Sequence, residues 1–233
     1  KVIIYQAFVR HFSTERGENI PNGTIAENRC GKFGSFSDRA LKEIKKLGCT
    51  HIWLTGVIDY ASTTPYPELG IAGDSRDIVK AGSPYAVRDY YNVSADLADN
   101  PISRMQEFEA LVERIHDNGL RAIIDFVPNH VARCYRSVSK PPGVGDLGDN
   151  DDQTVHFSAD NNFYYFPSER FAPQFTLTDY DEYPAKATGN DCFSPSPSRN
   201  DWYDTVKLNY GVDYGDGSEH FDPTPDTWLK MRD

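Results

Sequence analysis

Three short apolar runs, separated by two amphipathic stretches, set the tightest constraint on how this chain folds. The runs are "VIIYQAF" at 2–8, "THIWLTGV" at 50–57 and "RAIIDFV" at 121–127. Each is short and β-branched or aromatic, as strands buried on both faces are. Between the first two lies "SFSDRALKEIKKLGC", which predicts a helix. Ala40, Leu41, Ile44 and Leu47 fall on one face, Ser37 is placed to cap the start and Gly48 to end it. The second stretch, "ISRMQEFEALVERIHDNGL" at 102–120, carries the stripe Phe108, Leu111, Val112 and Ile115, with Asn118-Gly119 as its stop. The order β-α-β-α-β requires parallel strands covered by helices. With right-handed crossovers this is either a doubly wound sheet or the start of a barrel.

The pattern stops after His130. Residues 131 to about 205 hold Pro141-Pro142, the acid-rich "GDLGDNDD" and the aromatic run "FYYFPSERF". So long a stretch without periodicity predicts a functional excursion from the domain, here a small inserted subdomain. "FDPTPDTWLKMRD" then predicts a new helix, with Thr224 as cap and Pro225 in its first turn. Two or three βα units cannot close an eight-stranded barrel, and their edges would be open. The expectation is therefore the front portion of a larger protein: 1–130 as three strands with their helices, 131–205 as the insert, and 206–233 as the return to the barrel.

The net charge of −11 argues against nucleic acid, whose phosphates need a basic face, and against docking on an anionic membrane surface. No apolar run approaches the roughly 20 residues of a membrane span. The four cysteines, Cys30, Cys49, Cys134 and Cys192, show no CxxC spacing, so neither zinc nor a redox motif is indicated. Independent thiols, or one or two disulfides such as Cys134–Cys192, remain open. The abrupt start in a strand leaves localisation open too, with a secreted or periplasmic protein favoured.

In parallel α/β proteins, ligands bind at the carboxyl ends of the strands. Three segments sit there: "FVRHF", "TGVIDY" and "DFVPNH". Arg10 and His11, and Asp59 and Tyr60, are candidates there or else ordinary loop residues. Asp125 lies within an apolar run, where an unpaired carboxylate is costly, so a partner is expected: an arginine or backbone N–H groups. His130 is either a structural histidine or part of a site with Asp125 and Asn129. Asn129 and the acids of "GDLGDNDD" offer oxygens that would suit calcium, although the insert lacks the spacing of a calcium loop. In "GSPYAVRDYYNV", Tyr85, Tyr90 and Tyr91 flank Arg88 and Asp89; the rings can stack on a sugar, or the segment is a packed loop with a salt bridge. No nucleophile elbow, phosphate loop or dinucleotide fingerprint is present.

Taken together, these segments resemble the N-terminal half of the catalytic domain of the alpha-amylase family of retaining glycoside hydrolases. "DFVPNH" is similar to that family's Asp-x-x-x-Asn-His at the end of the third barrel strand. "PYAVRDYYNV" resembles its Gly-Tyr-x-x-x-Asp-Tyr segment, with Pro84 in place of Gly. "VKLNY" at 206–210 resembles its short signature late in the inserted domain, with Lys207 where Asp is usual. The resemblance implies the first units of a TIM (β/α)8 barrel with a subdomain after strand three. It implies a hydrolase of α-glucosidic bonds in starch-like glucans, acting with retention. Tyr85 would stack on the sugar beside the scissile bond, and His130 would hydrogen-bond its hydroxyls. Asp125, paired with an arginine further on, and Asp89 would support the site. Asn129 would hold calcium or the base of the insert, and Lys207 puts an ion there in doubt.

The family's two catalytic carboxylates, ~5–5.5 Å apart in a retaining enzyme, match no segment of 1–233. They are expected beyond Asp233, which predicts an inactive chain when isolated. A glycosyl-transferring member, a non-catalytic glucan-binding homologue and a free-standing doubly wound domain are the competing readings.

Overall fold

The computed structural model describes residues 1–14, 20, 21, 23, 26–79 and 82–233. In chain order the elements are β1 (Ile4–Phe8), α1 (Asp38–Lys46), β2 (His51–Thr55), β3 (Ile58–Tyr60), α2 (Arg76–Val79), β4 (Val87–Val93), α3 (Arg104–Asp117), β5 (Arg121–Ile124), β6 (His130–Ala132), β7 (Tyr165–Phe166), β8 (Ala185–Lys186), β9 (Thr205–Lys207) and α4 (Asp226–Arg232). They fall into two compact units. The first is Lys1–Asp74, Lys80–Tyr85 and Asp89–Phe126; the second is Ser75–Val79, Ala86–Arg88 and Val127–Asp233.

The first unit is built on a parallel sheet of order β1-β2-β5. Phe8 pairs with Thr55 and Leu54 with Ile124, so the carboxyl ends of all three strands lie level. Among the described residues no sheet closes on itself. Helix α1 starts where Ser37 Oγ accepts the Ala40 N–H at 3.3 Å and is followed by Gly48 at φ +88°. It buries Leu41 and Ile44. Leu47, expected on the same face, is the cap residue past the helix end at Lys46 and is 72% exposed. Helix α3 buries Leu111 and Ile115, with Phe108 packed beside them, while Val112 is only half-buried. It starts two residues later than its periodicity suggests. Pro101–Ser103 form a 3-10 turn capped by Asn100, and the Glu107 carboxylate reaches back to the N–H groups of Asp99 and Asn100 at 2.7 and 2.6 Å. The core is closed by Phe33, Phe36, Ile52 and Leu54, with Phe12 stacked on Phe36 at 4.0 Å.

Two expectations change here. The third strand stops at Ile124, so Asp125 lies just past the ladder rather than inside it, because β2 offers no partner beyond Leu54. The stretch around Tyr90 is a strand, β4 paired with β3, where a loop was one expectation. Arg88 and Asp89 interrupt its apolar pattern, yet both are buried. The signal was in the flanks, since Val87, Tyr90, Tyr91 and Val93 all favour strands.

In the second unit β6 pairs antiparallel with β9, with His130 opposite Lys207, and β7 pairs with β8. Phe163, Tyr164, Phe171, Ala185, Ala187, Val206 and Leu208 fill its interior. Arg133 and Glu182 form a 2.7 Å ion pair within it, and the guanidinium lies 4.0 Å over the Phe171 ring. The acids of "GDLGDNDD" accept hydrogen bonds from neighbouring backbone and side chains. Asp151 accepts from the N–H groups of Asn162 and Phe163 and from the Tyr165 hydroxyl; Asp152 accepts from Thr154, and Asp149 from the Asp146 N–H. Helix α4 begins at Asp226 with Pro225 at the cap position. Thr224, the expected cap, stands one residue too early, and no side chain caps this end. None of the four cysteines forms a disulfide, so Cys134 and Cys192 are not bridged.

Candidate functional site

In the first unit, the level strand ends gather Arg10, His11, Tyr85 and Asp125. Trp53 is opposite Ile123, and Asp125 is two residues further on. With a side-chain period of two, this puts Asp125 on the Trp53 face. The indole Nε1–H donates to Asp125 Oδ1 at 2.6 Å. Trp53 is therefore the partner seen for this carboxylate, where an arginine or backbone N–H groups were expected. Nothing in the sequence pointed to Trp53; only the strand register brings it there. The other oxygen, Oδ2, is buried and accepts no hydrogen bond among the described residues.

Tyr85 reaches the same edge through a close approach. Gly56, at φ +73°, faces Pro84, and a Cβ there would lie 2.6 Å from the Pro84 Cβ. Glycine at 56 thus lets residues 83–85 lie against the end of β2. Tyr85 is 39% exposed, and burial followed by the Asp125 charge pushes its hydroxyl above the ordinary tyrosine value. An exposed ring beside a carboxylate offers both a stacking face and a hydrogen-bonding edge to a polyol. The Tyr90 ring lies 5.6 Å from Phe126, itself 57% exposed. Arg10 donates to the Gly82 carbonyl at 3.1 Å and stands over the Phe8 and Tyr60 rings. Burial and the Arg10 charge lower the His11 pKa. Asp89 is fully buried and accepts the Tyr91 N–H at 2.8 Å, so it shapes β4 and offers no surface to a ligand. Asp59 and Tyr60 are buried as well.

In the second unit, Asn129 and His130 lie together. The Asn129 carboxamide has its orientation set from two sides. Its Nδ2 donates to the Gly189 carbonyl at 2.9 Å, and its Oδ1 accepts from Lys207 Nζ at 2.7 Å. The same Nδ2 lies 3.0 Å from His130 Nδ1. A donor facing Nδ1 makes that nitrogen the acceptor, so the proton of the neutral imidazole sits on Nε2. His130 is 5% exposed, and its ring lies 5.2 Å from that of Trp202, which is half exposed. Gly189 is required by the close approach here, since a Cβ would lie 2.8 Å from the His130 Cβ and 2.4 Å from Thr205 Oγ1.

Asn129 does not fit a calcium ligand in this arrangement. A calcium ion takes 6–8 oxygens at about 2.3–2.6 Å. Here the one carboxamide oxygen already faces an ammonium, which a divalent cation would repel. Lys207 also pairs with Asp191 at 2.8 Å. Lys207 was visible in sequence as a departure from the family pattern. Asp191 and Trp202 carried no signal, since chain folding alone brings them close.

The model described as alpha amylase, catalytic domain, matches residues 6–162. Pullulanase A of Streptococcus pneumoniae is 31% identical over 140 residues, covering 56% of this chain and 10% of that protein. The cyclomaltodextrin glucanotransferase of Bacillus licheniformis is 24% identical over 176 residues, 70% of this chain and 22% of the other. Among solved structures, an alpha-amylase from Lactobacillus plantarum aligns with 90% of this chain and 32% of its own, at a TM-score of 0.47 and 19% identity. The chain thus spans between a tenth and a quarter of the length of these curated relatives.

Proposed function

The chain belongs to the alpha-amylase family, whose fold is a TIM barrel, and from that premise we propose that residues 1–233 are part of an enzyme that cleaves α-glucosidic bonds in starch-like glucans with retention. The observation that carries this reading is the catalytic-domain match over 6–162, which takes in Tyr85, Asp89, Asp125, Asn129 and His130. In the proposal, Tyr85 stacks on the sugar beside the scissile bond, and its exposed ring supports that role. His130 donates from Nε2–H to a sugar hydroxyl. Asp125, held by Trp53, keeps Oδ2 for a second donor. Asp89 supports the site from within β4. Asn129 ties down the base of the insert, which supports that alternative over a calcium role. Residues 1–130 form the barrel's first strands, 131–205 the insert and 206–233 the return.

In the same proposal these groups position substrate and do not break the bond. One neutral hydrogen bond contributes ~0.5–1.5 kcal/mol, about tenfold in rate, whereas enzymes of this kind need many orders of magnitude. The nucleophile and the acid/base come from elsewhere in the protein. Transfer of the glycosyl group to a sugar instead of water is the second reading; the relation to a glucanotransferase over 70% of the chain favours keeping it.

The test is the full protein on soluble starch, with reducing ends and product lengths followed together. New reducing ends support hydrolysis, and redistributed chain lengths without them support transfer. Glucan binding with neither outcome would sink the enzyme reading and leave a non-catalytic glucan-binding protein.

A further inference from the structure

The surroundings of Asn129 have the form of a cation pocket in which the cation belongs to the chain. Asn129 Oδ1 and Asp191 Oδ1 converge on Lys207 Nζ at 2.7 and 2.8 Å. The Lys207 side chain is only 10% exposed, so its ammonium depends on these oxygens for the solvation that water would give. Asp191 takes part from an unusual backbone position, φ +61°, in a turn held by the Thr188 carbonyl. Lys207 itself is fixed at both ends of its side chain. Its backbone lies in β9 opposite His130, and its N–H donates to the Ala187 carbonyl at 3.0 Å.

We propose that the Lys207 ammonium is a tethered replacement for a divalent cation, and that it makes this part of the fold independent of calcium. It also sets His130. By requiring an acceptor from Asn129, it leaves the amide N–H groups for Gly189 and for His130 Nδ1, which fixes the imidazole tautomer. The acids Asp149, Asp151 and Asp152 accept from local donors. Among the described residues, no three His, Cys, Asp or Glu side chains gather as a metal site would need. The inference goes beyond the proposed activity, because its test reads melting and metal binding and not catalysis.

The experiment compares the full protein with its Lys207→Met and Lys207→Asp variants, melting each in EDTA and in millimolar calcium and titrating each with calcium by calorimetry. Met keeps the alkyl stem and removes the charge. Asp puts a carboxylate beside Asn129 and Asp191 in place of the ammonium. The expected result is that Lys207→Met melts several degrees below the parent and is not restored by calcium. Lys207→Asp should melt low in EDTA, recover in calcium, and bind one calcium more than the parent. A Lys207→Met protein that melts with the parent in EDTA would overturn the proposal. So would a Lys207→Asp protein no more responsive to calcium than the parent. If Lys207→Met does not fold, the calcium response of Lys207→Asp decides alone.

Discussion

Tyr85 carries the sugar-stacking role in the proposed site, and it is among the few large aromatics of the first unit left exposed. Replacing it with alanine removes a stacking face but little buried area. Tyr85→Ala should lower glucan turnover by the full protein about tenfold, taking the ~1–3 kcal/mol of aromatic stacking on a planar base as the scale, while the melting temperature stays within about 1 °C. Tyr85→Phe should keep most of the activity; equal losses in the two variants would instead implicate the hydroxyl. Trp53 is a buried-edge donor, and its role is structural. Trp53→Phe leaves the Asp125 carboxylate without the partner it has, which should cost about 1–3 kcal/mol in chemical denaturation. A third residue titrates. Burial pushes the Glu182 carboxyl up, but Arg133, Lys186 and the Tyr180 hydroxyl together hold it below the ordinary value of 4.5. A depressed carboxyl stabilises the fold above its unfolded value, and that contribution is lost as pH falls through the folded one. The stability gap between the parent and Glu182→Gln should therefore be flat near neutrality and narrow only below about pH 4.5. A gap that stays constant down to acid unfolding would refute this.

At the scale of elements, α1 shows which features of a helix carry energy. Its Ser37 cap satisfies a terminal N–H, so Ser37→Ala should cost about 1 kcal/mol. Leu41 is fully buried against the sheet, and Leu41→Ala should cost ~2–5 kcal/mol by the cavity it leaves. Leu47→Ala, at an exposed cap, should stay within about 0.5 kcal/mol. Urea unfolding of the three variants checks the order, and a Leu47 effect equal to that of Leu41 would contradict the burial described. The periodicity that predicted α1 could not separate Leu41 from Leu47, because the spacing of apolar residues records a face and not where the helix stops. β4 failed to stand out for a related reason. A strand that buries Arg88 and Asp89 near its start breaks the alternation by which strands are recognised.

At the scale of the whole molecule, the three-stranded parallel sheet leaves Ile4 and Ile124 exposed, and Phe126 just past β5 is exposed too. In a barrel these faces are covered by other strands and helices. The proposal that the carboxylate pair lies outside residues 1–233 predicts that the 233-residue chain, purified alone, cleaves no glucan that the full protein cleaves. Measurable reducing ends from the isolated chain would refute it and move the search for the pair into the 35 acids present.

The amino-acid sequence by itself determined the βαβαβ order, the parallel sheet and the family, because these follow from local periodicity and from short motifs read along the chain. The strand end bearing Asp125 was legible for the same reason, whereas Tyr85 reaches that edge only through the close approach of Pro84 to Gly56. Only the tertiary structure decided the partners. Trp53 meets Asp125 across 72 residues through strand register, and Lys207 meets Asn129 across 78. Those contacts depend on which turns bring distant segments within hydrogen-bonding reach, and nothing in the local sequence records that distance. The sequence marked Lys207 as a departure from a pattern, but only the fold shows that its ammonium faces the oxygens of Asn129 and Asp191.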